Sequence, residues 1–212
     1  LFFLIDACME LSEDLINEIE EPRALIGGKR SGPPKTTEWS VLRATTTNRL
    51  AYAPEKGVAR FTAAILQALQ GHCGTQRTAE PTFSVGISEL REAAAAFLAL
   101  SQQVEGGARQ KLGQTEGEGD WSVGLHVQTQ RPSVLVEMDI EPQGYRPVAR
   151  AFMEDLAQQR DSKLLADGPV RFIKEQGEWT YGANATGQEF QEQLVARQFL
   201  KNAVHTCRFR IP

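Results

Sequence analysis

A cysteine stands two residues after an aspartate in Asp6-Ala7-Cys8, where the apolar run Leu1–Ile5 stops. A thiol there is the obvious nucleophile of the chain. As the thiolate it can attack a carbonyl carbon once a base has taken its proton. Asp6 is a poor helper in that step, because a like charge disfavours the thiolate. A better role for the carboxylate is a fixed negative charge at the floor of a pocket, facing a cationic group of a substrate. An acid in such a place is costly unless paired, and a guanidinium or ammonium from a bound peptide supplies the partner.

The other candidate groups are scattered. Cysteines stand at 8, 73 and 207 and histidines at 72, 126 and 205, with no C-x-x-C spacing. No metal site and no cofactor follow from such a pattern. Few, widely spaced cysteines point to a reducing, cytoplasmic setting without a disulfide framework. Cys73 and Cys207 read as ordinary residues. A net charge of −4 argues against a nucleic-acid partner. The run LFFLI ends at Asp6, too short for a membrane span or a signal peptide. With 41% hydrophobic and 24% charged residues the composition is that of a globular protein. The chain starts at Leu1, inside an apolar run, which reads as the downstream portion of a longer polypeptide.

What must position Asp6 and Cys8 is a sheet. Leu1–Ile5 has no alternation, the pattern of a parallel strand buried on both faces. A cysteine at the C-terminal end of such a strand sits where active sites of open α/β sheets are built. Next come a helix in LSEDLINEIEEP, a Gly- and Pro-rich linker over 27–38, and a second strand in WSVLRATTT. VARFTAAILQALQG predicts a helix with Phe61, Ile65, Leu66 and Leu69 on its apolar face, closed by Gly71. ISELREAAAAFLALSQQ predicts another, with Ser88 as its N-cap. Residues 105–120 read as an exposed loop. Beyond it, WSVGLHVQ and SVLVEMDIEP read as strands. YRPVARAFMEDLAQQRD reads as helical after Pro147, VRFIKEQGEWTYGA as a hairpin turning at Gln176-Gly177, GQEFQEQLVARQFLKNAVH as a helix, and CRFRIP as a last strand. The expected fold class is α/β, with residues 1–104 as one domain and 121–212 as an α+β accessory region.

The phrase LFFLIDAC resembles the nucleophile strand of the caspase/metacaspase superfamily of cysteine proteases, whose bacterial members carry I-D-A-C or V-D-A-C there. Animal caspases carry Q-A-C-R/Q/G-G instead; here Asp6 replaces the Gln, and Met9-Glu10 follow the Cys. GVARFTAAILQALQG is similar to the G-x-F-T-x-x-L-x-x-A-L-x-G helix of bacterial members. The resemblance covers about residues 1–78, is faint over 79–104 and absent thereafter. It implies a caspase-like sandwich with a mostly parallel sheet. It makes Cys8 the catalytic nucleophile, and makes Asp6 the residue that selects Arg or Lys at P1, the residue before the scissile bond. Thr45, Thr46, Thr47 and Asn48 fall at the pocket wall, where hydroxyls and exposed backbone suit an extended peptide. Lys29 and Arg30, in the linker, are sites where such an enzyme would cut itself. The family's histidine base lies on the preceding strand, so the upstream part of the same protease domain is an implied partner; His72 and His126 do not match its position. The expected function is a cysteine endopeptidase acting on proteins with basic P1 residues in a bacterial signalling or defence cascade. The alternative is a non-catalytic caspase-like regulatory or binding module.

Overall fold

The computed structural model describes residues 2–6, 39–45, 51, 57–76, 81–105, 110–113, 116–118, 124–185 and 193–210. The helix expected in LSEDLINEIEEP and the linker 27–38 lie outside them. Among the described residues the chain is of mixed α/β type, with most elements strands in several small sheets. It divides into two compact units: 1–66 with 86–125, and 67–85 with 126–212.

In the first unit β1 (Phe2–Ile5) runs parallel to β2 (Trp39–Arg43), in register Phe2↔Ser40 to Ile5↔Arg43. The parallel pairing is as expected; the burial is not. Phe3, Leu4 and Ile5 are 48%, 44% and 40% exposed. The physical reason is position: among the described residues β1 lies at the edge of a three-stranded sheet, with β2 in the centre and Glu116–Glu118 on the far side. Burial falls instead on Val41 and Leu42 of β2.

The helix α1 (Arg60–Gln67) forms where the apolar spacing predicts it. It buries Phe61, Ala64 and Ile65, while Leu66 is exposed. One π-type turn, Ala68–His72, continues it and ends at Gly71, whose φ of +97° lies in the left-handed region. Ala68 is buried and Leu69 exposed, so the working face is Phe61/Ala64/Ile65/Ala68 and not the larger leucines.

The second helix, α2, spans Ile87–Glu105. It starts one residue before Ser88, which therefore stands in its first turn rather than capping it. Leu90, Ala93, Ala94, Phe97 and Leu98 are buried, the i, i+3, i+4, i+7, i+8 stripe of an amphipathic helix.

Within 105–120, expected as an exposed loop, residues 110–113 are tied to the end of β2 and 116–118 pair with that strand. Gln110 is 4% exposed, donating its amide to the Ala44 carbonyl at 2.9 Å and accepting from Gln102 Nε2 at 2.8 Å through its own carbonyl. The Gly113 N–H donates to the Arg43 carbonyl at 3.0 Å. β5 (Glu116–Glu118) then pairs antiparallel with Trp39–Val41. Glutamine amides and a glycine read as loop by composition; here they satisfy backbone groups that β2 would otherwise leave open.

β3 (Thr75–Gln76), β4 (Phe83–Gly86) and β6 (Gly124–Gln128) form a small sheet in that order. The rest of the second unit is built on β7 (Ser133–Glu141), whose Val134, Val136, Met138 and Ile140 are fully buried. That alternation is the one its sequence predicts. β10 (Val170–Glu175) pairs antiparallel on one edge of β7, and β13 (Val204–Arg210) parallel on the other. A second sheet has the order β12-β11-β8-β9, with β8 Ala149–Glu154, β9 Arg160–Leu164, β11 Gly177–Ala185 and β12 Gln193–Leu200. The large residues of β7 share one core with Ala149, Ala151, Ala183 and Ala185, small partners for large ones.

Three sequence expectations fail here. Residues 149–154 are a strand after a short 3₁₀ segment, Gln143–Val148, not a helix. Their alternation Ala149, Ala151, Met153 faces the core, and tertiary burial outweighs the helix propensity of Ala, Met and Glu. VRFIKEQGEWTYGA is not a hairpin: β10 pairs with β7, and β11 with β8 and β12. Gln176 is a corner between sheets, its N–H donating to the Pro132 carbonyl at 2.8 Å and its side chain to the Lys201 carbonyl at 2.7 Å. QLVARQFL is β12, paired with β11 over eight positions. Exposed Val195 and Phe199, four apart, mimic a helical stripe; the residues that pack on the core are Ala196 and Leu200, with exposed Gln198 between them bonded to the Tyr181 hydroxyl. Among the described residues of 121–212 there are strands and one 3₁₀ segment but no α-helix, where an α+β region was expected.

Candidate functional site

The site is built where β1 and β2 end side by side. The Ala44 N–H donates to the Ile5 carbonyl at 2.9 Å, carrying the parallel ladder one step past both strands. The next residue on the first strand is Asp6, exposed. Its Oδ2 accepts a hydrogen bond from the Thr62 hydroxyl, in the first turn of α1. A neutral donor orients a carboxylate without cancelling its charge, and the positive end of the helix dipole favours an anion at this turn. Among the described residues Asp6 has no ion pair, so the charge remains for an incoming cation.

The next residue on the second strand is Thr45, expected to face a bound peptide. It is instead fully buried. Its carbonyl oxygen lies 2.6 Å from where a Cβ on Gly113 would stand, so the 110–113 segment is packed against it. Thr45 belongs to the support of the strand end. Cys8, Thr46, Thr47, Asn48, Lys29 and Arg30 lie outside the described residues.

The two described cysteines, Cys73 and Cys207, are not in a disulfide. Cys73 is buried and donates to the Ala68 carbonyl at 3.2 Å, a packing role. Cys207 is half-buried; burial pushes its thiol up to about 11, against a smaller opposing effect of its hydrogen bond with Tyr181. Neither is an activated nucleophile. The His72 ring nitrogen Nδ1 is 3.0 Å from the Ser133 hydroxyl, linking the end of the π-turn to the start of β7. Among the described residues no cluster of three or more His, Cys, Asp or Glu side chains can hold a metal ion, and no helix is long and apolar enough to cross a membrane. A cleft of about 580 Å³ runs between α2 and Gln110–Leu112. Its polar lining is Arg91, three glutamines and Lys111, with no nucleophile and no acid.

Sequence reasoning picked out Asp6 but not the groups that hold it. Thr62 carried one signal, a lone hydroxyl in the first turn among the apolar residues of 61–66. Gln110 and Gly113 carried none, because their partners are backbone atoms of distant residues.

The chain is similar to the uncharacterized protein y4kE of Sinorhizobium fredii (strain NBRC 101917 / NGR234), with 55% identity over 204 residues. The alignment covers 96% of this chain and 59% of that protein. No protein-family model matches the chain. No solved structure matches it.

Proposed function

We propose that the chain is the downstream part of a caspase-like cysteine endopeptidase, an α/β sandwich enzyme that cleaves proteins after Arg or Lys in a bacterial signalling or defence cascade. The Cys8 thiolate adds to the scissile carbonyl carbon. A histidine on a strand preceding β1 takes the thiol proton and passes it to the leaving amine as the C–N bond breaks; water then hydrolyses the thioester. Asp6 binds the P1 guanidinium or ammonium.

The observation that supports this reading is Asp6 itself. It is an exposed carboxylate at the C-terminal end of a strand in a parallel pair, held by a hydroxyl and left with its charge. That is the arrangement a basic side chain requires. The test uses full-length protein, Cys8→Ala and Asp6→Ala on Arg-, Lys- and Asp-P1 peptides. The reading expects cleavage of the first two peptides, none by Cys8→Ala, and a loss of about 30-fold or more on Asp6→Ala. Equal activity in all three proteins ends it. Intact mass after incubation tests self-cleavage after Lys29 or Arg30.

A further inference from the structure

We propose that Thr62 is a positioning residue that fixes the plane of the Asp6 carboxylate and thereby sets a preference for arginine over lysine at P1. This rests on the reading of Asp6 as the P1-binding acid. The carboxylate torsion of an aspartate is broad and soft. Asp6 stands exposed at the end of a strand whose Phe3, Leu4 and Ile5 are themselves 40–48% exposed, so little packing on the strand itself holds it. Thr62 is differently supported. Its neighbours Phe61, Ala64 and Ile65 are buried, which makes the first turn of α1 a firm point. The hydroxyl bond ties the loose group to the firm one across 56 residues of sequence.

The bond occupies one lone pair of Oδ2, leaving Oδ1 and the second lone pair of Oδ2 for a substrate. A guanidinium makes two parallel N–H···O bonds and needs both oxygens in its own plane. An ammonium is a point charge that either oxygen satisfies at many angles. Losing the tether therefore costs an arginine substrate more than a lysine substrate. Thr62 touches Asp6 and not the peptide, so the bond acts on binding rather than on the chemical step.

The experiment compares full-length wild type, Thr62→Val, Thr62→Ser and Asp6→Ala/Thr62→Val on Arg-P1 and Lys-P1 peptides. Thr62→Val is expected to raise KM for the Arg peptide about 3- to 10-fold with kcat within about twofold, and to move KM for the Lys peptide by less than about twofold. Thr62→Ser restores the wild-type ratio, and on the Asp6→Ala background Thr62→Val has no further effect. An unchanged Arg/Lys ratio in Thr62→Val, an equal loss on both peptides, or a full Thr62→Val effect without Asp6 overturns the proposal. Should Thr62→Val fail to fold, Thr62→Ala takes its place under the same criteria. If a peptidyl-arginine electrophile labels Cys8 in wild type while the ratio is unmoved by Thr62→Val, the positioning role alone has failed. If wild type neither cleaves these peptides nor is labelled, the endopeptidase reading falls and this proposal with it.

Discussion

The more apolar of two strands is the less buried one in this molecule. β7 carries Val134, Val136, Met138 and Ile140, all fully buried, between β10 and β13 and under a second sheet. β1 carries Phe2–Ile5, and three of its four residues are 40% exposed or more. Apolar content does not decide burial; having neighbours on both edges and both faces does. The candidate chemistry sits at the end of the poorly covered strand. Stability is concentrated in the well-covered one.

That contrast is broken most directly by truncating one aromatic in each place. Phe172, 1% exposed on β10, belongs to the core shared with β7. Phe172→Ala is expected to destabilise the second unit by about 3–5 kcal/mol in urea unfolding. Phe3→Ala is expected to cost about 1 kcal/mol or less, since half of its side chain already meets water. Similar losses in the two variants would abolish the distinction between the strands.

The next largest effect lies on the outer face of β7. Asp139 is 8% exposed and receives Arg146 Nε at 2.9 Å and Nη2 at 2.6 Å, with the Ile140 N–H at 2.8 Å. Burial pushes this carboxyl up. The Arg146 hydrogen bonds, the Ile140 N–H, and the charges of Arg146 and Arg208 outweigh that, and hold it below the usual 3.8. A carboxyl with a depressed folded pKa contributes stability above its unfolded value and loses it as pH falls through the folded one. Arg146→Met leaves the acid without its fork. A cost of about 2 kcal/mol at neutral pH is expected, less than for a fully buried pair because the two side chains keep 20% and 12% exposure. Acid unfolding then begins at higher pH than in wild type. An unchanged acid midpoint would show that Arg146 does not govern Asp139.

A smaller perturbation probes the support of the candidate site. A Cβ at Gly113 would stand 2.6 Å from the Thr45 carbonyl oxygen and 2.9 Å from Arg43 Cβ, and backbone cannot swing aside. Gly113→Ala is expected to cost about 1–2 kcal/mol. Gly144→Ala, with nothing within 4 Å of the new carbon, is the neutral control. If the end of β2 supports peptide binding, Gly113→Ala also lowers cleavage of Arg-P1 peptides, whereas Phe172→Ala below its unfolding midpoint does not.

How much of this was legible beforehand follows the same division. β7 was legible from a partial alternation, Val134, Val136, Met138 and Ile140 against Leu135, Glu137 and Asp139, and α1 from its spacing and closing glycine. The parallel β1–β2 pair was readable from its unbroken apolar run; its exposure was not, because the run says nothing about edge position. In QLVARQFL and ARAFME local propensity pointed to helix, and pairing to β11 decided for strand. In the candidate site, a lone acid beside a thiol was visible as chemistry. Its hydroxyl partner, 56 residues away, became visible only once α1 was set against the strand end. Thr45 is pocket wall only by the resemblance, in which the second strand ends there; packing by Gly113 tells support from surface.

The smallest expected effect belongs to a half-buried polar cluster in the β-unit. Tyr181 donates its hydroxyl proton to Gln198 Oε1 at 2.7 Å and lies 3.0 Å from His205 Nε2. With that proton spent, Nε2 carries the hydrogen and donates to the tyrosine oxygen. The Cys207 thiol bonds the same hydroxyl. Among the described residues neither polar neighbour of the imidazole is an anion near neutral pH: burial, then the neighbouring Cys207, pushes Tyr181 up to about 12, and burial pushes Cys207 up to about 11. Burial accordingly pushes His205 below its usual 6.5. A base whose folded pKa is depressed contributes stability above its unfolded value, and that contribution fades as pH falls through the folded one. Between about pH 7 and about pH 5 the urea midpoint of wild type should fall further than that of His205→Gln, whose amide keeps a donor toward Tyr181 but does not titrate. Parallel pH profiles would mean that the imidazole is already open to water in the folded protein, and that the close packing credited to this unit does not extend to the seam between β11 and β13.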